Sequence, residues 1–199
     1  MKKTGRSKDQ RPPGRPRDPR VEDRILRVTL KHLADYGYAR MSIDAIASDS
    51  GASKPTIYRR WSGKADLATA ALTLLRLDEP PPPGGPAPAR LKVLMRNFRS
   101  SLLRPNGMAL IGTILAEEEH TPELLVLFRE RIVSPRREMI RAALAVAASR
   151  GELKAGSDIE AAVNMLVGAL YARYLSGEPL TPDWTDSVVD VCWRGLAAG

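Results

Sequence analysis

Apolar residues in this chain recur at helical spacing, with no convincing alternation of period two. Val21, Ile25 and Val28, continued by Leu33, predict a first helix starting near Asp18-Pro19, an N-cap followed by proline. Gly37 is suited to end it with a left-handed residue. Ser42 then caps a short second helix whose inward face is Ile43, Ile46 and Ala47. Gly51 makes a turn, and Ser53 caps a third helix with Pro55 in its first turn, where a missing N–H costs nothing. A fourth helix runs from Lys64 to about Leu77, burying Leu67, Ala71, Leu74 and Leu75.

Pro80 to Pro88 holds four consecutive prolines and two glycines, which forbids helix and predicts a polyproline-like connector. Further helices are expected at 89–104, from Asn106 through Glu117-Glu118-Glu119, from Thr121-Pro122 to near Gly151, at 158–176 and at 182–197. Pro135 lies inside the longest of these and should kink or split it. The reading is an all-α protein of about nine helices. It has a basic arm (1–17) without apolar periodicity, expected to be disordered, and a three-helix helix-turn-helix domain extended by the fourth helix (18–78). A proline-rich linker (79–88) and a larger helical domain (89–199) follow.

The chemistry concentrates in the short second and third helices. A helix-turn-helix places its second helix in the DNA major groove, where it must hold phosphates and present groups to base edges. Ser53, Thr56 and Tyr58 bring hydroxyls suited to phosphate oxygens, and the Tyr58 ring suits a thymine methyl. Lys54 and Arg59 are placed against base edges, and Pro55 belongs to the same helix start. Lys64 and Ser42, each at a helix N-terminus, are expected to clamp phosphates. Trp61 is expected to wedge against the first helix with its N–H toward a phosphate, and Ile57 to point inward. In the arm, Gly14-Arg15-Pro16-Arg17 offers Arg15 and Arg17 to a minor groove, or supplies nonspecific attraction alone.

Charge sharpens this picture. Residues 1–76 carry 17 Lys/Arg against 8 Asp/Glu, whereas the rest carries 14 against 15, so the net +8 belongs to the helix-turn-helix third. Alone, such a bias fits a solubilising tail equally well; beside the motif it reads as a footprint for a polyanion. No apolar run reaches membrane-spanning length, and the basic N-terminus is not followed by a signal-type apolar segment. One cysteine, Cys192, allows no intrachain disulfide, so a reducing cytoplasm is the expected setting. With two histidines, His32 and His120, and no nucleophile triad, metal spacing or phosphate loop, neither catalysis, a metal nor a cofactor is expected. The cluster Glu117-Glu118-Glu119-His120 reads as a solvated helix end, because adjacent helical residues point apart.

Several stretches together carry a family resemblance: Ile25-Leu26, Tyr36-Gly37-Tyr38, Ser42 to Ala47, Gly51, and Ser53 to Tyr58 with Trp61 and Lys64. In order and spacing they resemble the N-terminal domain of the TetR family of bacterial transcriptional regulators over about residues 18–70. The resemblance implies a homodimer in the bacterial cytoplasm, on the nucleoid when bound, that binds a palindromic DNA operator as a repressor, less often an activator, and releases it when a small-molecule effector occupies the C-terminal domain. His32 departs from the family's frequent leucine, and the proline-rich linker is longer than usual.

The last two predicted helices carry more apolar width than packing on one neighbour requires. Ile159, Val163, Leu166, Leu170 and Tyr174 on one, and Val188, Cys192 and Leu196 on the other, are the expected dimer interface; internal packing is the alternative. Met95, Phe98, Leu102, Met108, Ile111, Leu115, Phe128, Ile132, Met165 and Tyr171 are candidates for an apolar effector pocket, or for ordinary core.

Overall fold

In the computed structural model, residues 19–75 and 85–198 are described, and all regular elements among them are helical. The arm with Arg15 and Arg17, the Asp18 cap and most of the linker lie outside the described residues.

Helix α1 spans Pro19–Arg40 but is broken at Gly37, whose φ of 74° and ψ of 171° are not helical. α2 (Ile43–Ser50) ends at Gly51, whose φ of 62° lies in the left-handed region where a side chain is strained. α3 (Lys54–Tyr58) follows, then α4 (Lys64–Leu72), which tightens into a 3₁₀ turn at Thr73–Leu75 rather than continuing as α-helix to Leu77.

α5 spans Ala87–Leu103, so the expected connector gives up its last two residues to helix. Pro88 sits in the first turn, where no backbone donor is needed. α6 (Gly107–Ala116) stops before the acidic run. α7 (Pro122–Phe128) and α8 (Ser134–Ser149) form one continuous body joined by a wide π turn at Arg129–Val133. Pro135 explains that turn. Its ring crowds the carbonyl four residues back and it lacks an N–H, so the chain widens and the Ser134 N–H bonds to the Arg129 carbonyl instead. α9 (Ile159–Leu175) and α10 (Pro182–Leu196) are capped by Asp158 and Thr181. Counting α7–α8 once, the described residues form nine helical bodies.

Two cores organise these bodies. The first joins Ile25, Ile46, Ile57 and Leu67 of α1–α4 to Leu110 and Ile114 of α6 and to Leu124, Phe128 and Ile132. The second packs α5, α8, α9 and α10 around Phe98, Leu144, Leu166 and Val189. Helix-turn-helix and C-terminal helices therefore share apolar packing, and Ile111 touches both cores. Moving α7 must disturb α4, and moving α6 must disturb α1.

Candidate nucleic-acid interface

The α2–turn–α3 unit is built by its caps. The Ser42 hydroxyl accepts from the Asp44 N–H at 3.2 Å, and the Ser53 hydroxyl accepts from the Thr56 N–H at 3.4 Å. Inward, Ile46 and Ile57 are fully buried and fix the rotation of both helices. With Ile57 inside, Lys54, Pro55, Tyr58 and Arg59 of the same short segment face solvent, and Tyr58 is 54% exposed, unusual for so large a ring.

The other expected residues are already engaged. The Ser53 and Thr56 hydroxyls pair with each other at 2.9 Å. The Lys54 ammonium forms an ion pair with Asp44 of α2, which raises its pKa. A base contact by Lys54 must compete with that carboxylate, so Tyr58 and Arg59 carry the open part of the face. Lys64 donates to the Ala39 carbonyl at 3.0 Å and lies 4.5 Å from the Tyr38 ring centre, and burial pulls its pKa down. It therefore locks the end of α1 and can offer a phosphate its remaining hydrogens. Trp61 is 7% exposed and belongs to the first core, where it anchors α3 rather than presenting an open surface.

Three further groups position the unit: Arg60 and Asp66, which the sequence reading passed over, and His32, which it noted without a partner. Arg60, adjacent to the expected base-reading Arg59, turns inward: its side chain is 8% exposed, donates to the Thr56 carbonyl at 3.1 Å and lies 3.7 Å from Glu22 of α1. His32, buried on α1, meets Asp49 of α2 at 2.8 Å, so the departure from leucine gains a polar partner. Asp66 accepts from the N–H and hydroxyl of Ser62 at 2.6 and 3.0 Å, and from Arg131 at 2.6 Å. Burial alone would raise the Asp66 pKa; the Ser62 N–H, the Arg131 guanidinium and the Ser62 hydroxyl together bring it below the usual carboxylate value.

Further along, a small cavity of about 30 Å³, roughly the space one water occupies, lies among α4, α5, α6 and α7–α8. Of the residues named as pocket candidates, Leu102, Ile111, Phe128 and Ile132 line it, together with Leu72, Ser101, Leu110 and Arg136, which the apolar pattern did not single out. Met95 and Phe98 are instead fully buried in the second core, Met108 packs against that core, and Tyr171 meets the Phe98 ring edge-on at 5.4 Å. Leu115 and Met165 correct the expectation: they are 52% and 57% exposed, because α6 and α9 are apolar on more faces than the protein interior can cover.

The expected dimer residues need a similar correction. Val163, Leu166 and Leu170 are fully buried within the chain's own second core, and Ile159, Val188, Cys192 and Leu196 are half-buried against it. Only Tyr174 of the set is exposed. The open apolar strip lies elsewhere on α9, at Met165, Gly168, Ala172 and Leu175, and Val191 on α10 is exposed as well. No helix among the described residues is long and apolar enough to cross a membrane.

Two family models match the chain. Residues 25–71 match the model described as bacterial regulatory proteins, tetR family, and residues 81–192 the tetracyclin repressor-like C-terminal domain. The HTH-type transcriptional regulator Mb1581 of Mycobacterium bovis is 31% identical over 191 residues, covering 88% of this chain and 89% of that protein. The DNA-binding transcriptional repressor TetR of Mycobacteroides abscessus is 31% identical over 173 residues, covering 83% and 88%. The Bacillus subtilis regulator FadR, solved in complex with stearoyl-CoA, superposes with a TM-score of 0.68 at 20% identity, covering 86% of this chain and 97% of that one. With an α2–turn–α3 unit that exposes Tyr58 and Arg59 on a buried Ile57 anchor, and with matches along nearly its whole length, the chain belongs to the TetR family of DNA-binding transcriptional regulators.

Proposed function

We propose that this protein is a ligand-responsive repressor that binds a palindromic operator as a homodimer in the bacterial cytoplasm. The observation that carries the reading is the exposed edge of α3, where Tyr58 and Arg59 stand clear of a helix fixed from within by Ile57. Arg59 reads a base edge, preferably guanine, and Tyr58 contacts a phosphate or a thymine methyl. Ser42, Ser53 and Lys64 hold the backbone, and Lys54 joins them once DNA phosphate competes for its pairing with Asp44. Arg15 and Arg17 of the arm reach the adjacent minor groove.

Homodimer formation is supported by the Met165–Gly168–Ala172–Leu175 strip and Val191, an apolar face with small residues that permits close approach of a second copy. A symmetric pair sets two recognition helices about one DNA turn apart, ~34–36 Å. The effector site is the small cavity beside α4, whose mostly apolar lining suits a molecule with an apolar body and which must widen to admit one. The Mycobacteroides relative's repressor activity and the acyl ligand of the Bacillus neighbour favour this reading over an activator without effector.

Selection of bound duplexes from random DNA, followed by footprinting, tests it. One protected palindrome with strong preference over other DNA is the expected result. Uniform coverage of any duplex would instead indicate an architectural DNA-coating protein. Screening small molecules for release of the selected duplex then tests the effector.

A further inference from the structure

The regulator reading leaves open how the cavity communicates with the recognition helix, and the π turn supplies a specific route. Arg131 lies within it. From there the guanidinium reaches α4, with Nη1 2.6 Å from the Asp66 carboxylate and 3.2 Å from both the Asp66 carbonyl and the Thr69 hydroxyl. Asp66 in turn holds the N–H and hydroxyl of Ser62, the residue after Trp61 in the turn that joins α3 to α4. Phe128 and Ile132, flanking Arg131 in the same stretch, line the cavity, and Leu72 at the far end of α4 lines it too. One widened turn thus presents apolar side chains to the cavity and a cation to the helix behind the DNA-reading segment.

We propose that Arg131 and Asp66 are positioning residues for DNA recognition, and that the π turn couples cavity occupancy to the Ser62 clamp. This deepens the repressor reading and rests on it. An occupant that displaces Phe128 and Ile132 shifts the turn, and the Arg131–Asp66 pair converts that shift into movement of the α3–α4 junction. A regular α-helix at this point would point residue 131 differently, because the π turn adds one residue to the local repeat. Pro135, by forcing that turn, is what aims the guanidinium at α4.

The test uses the full chain and the duplex selected from random DNA, with amide hydrogen exchange as an independent readout. Arg131→Gln is expected to speed exchange at the Ser62 amide about tenfold and to weaken the selected duplex about tenfold, the scale of one charge-assisted contact. Exchange in α5 and α8 should stay as in the parent chain. Asp66→Asn should act alike, and the double variant should be no worse than the stronger single one. Ile111→Phe, which fills the cavity in place of an effector, should weaken DNA binding in the parent chain and much less in the Arg131→Gln background. Unchanged Ser62 exchange and duplex affinity within twofold in Arg131→Gln would overturn the proposal. So would accelerated exchange throughout α5 and α8, which would mark a purely global stabilising role. Additive effects of Ile111→Phe and Arg131→Gln would overturn the link to the cavity. A parent chain that selects no duplex sinks the repressor reading, while the exchange arm still decides the clamp.

Discussion

α3 and α9 are both helices with an exposed outer face to which the proposed function gives a partner, yet they declare it in opposite ways. α3 has five residues, one of them a buried anchor, so a single inward residue fixes which side is out. α9 has seventeen and is apolar nearly all round. Val163, Leu166 and Leu170 are taken by its own chain, and the strip of Met165, Gly168, Ala172 and Leu175 is left on the surface, where the proposed homodimer would seat a second copy. A helix that serves two apolar partners cannot be divided between them by periodicity alone, because both faces satisfy the same spacing.

The sharpest way to break this contrast is to charge the strip. Leu175→Glu with Val191→Glu should leave the helices folded but turn a dimer into a monomer by sedimentation and cost at least about 100-fold in operator affinity, since one half-site alone remains. If association persists, the strip is not the interface. Leu166→Ala probes the opposite face of the same helix. It should lower stability by about 2–5 kcal/mol through the cavity it leaves, read as a falling melting temperature, with association nearly unchanged.

On α3, Arg59→Ala should relax preference at one base position at a cost of about 1–3 kcal/mol, measured by comparing single-base variants of the selected duplex. Lys64→Ala should weaken all duplexes alike, with a shallower salt dependence. If Lys64→Ala altered the preferred base instead, the roles assigned to these two cations would be reversed. The smallest effect is electrostatic. Asp66 is held ionised in the folded chain below its ordinary value of 3.8. Its stabilisation is therefore complete well above that value, begins to fade near it, and disappears as pH falls through the lowered pKa. Thermal melts across acidic pH should show this slope in the parent chain and a flatter one in Asp66→Asn.

The short helices of the helix-turn-helix were legible because Ser42, Gly51 and Ser53 are local signals read from neighbouring residues. The outward set of α3 followed from Ile57 alone. Pairings between distant segments were not legible: Arg60 with Glu22, His32 with Asp49 and Arg131 with Asp66 join positions 38, 17 and 65 residues apart, and no local spacing announces them. The cavity lining was half legible for the same reason. Phe128 and Ile132 follow an apolar stripe, whereas Ser101 and Arg136 enter the wall only because four helical bodies converge there.

One measurement bears most directly on the paired recognition helices: a footprint of the full chain on its selected duplex, with Arg59→Ala run beside it. Two protected patches on one face of the DNA, about one helical turn apart (~34–36 Å), are the expected result, with preference lost at a symmetric base in each half for the variant. A single patch, continuous protection, or an Arg59→Ala pattern identical to the parent would contradict the account.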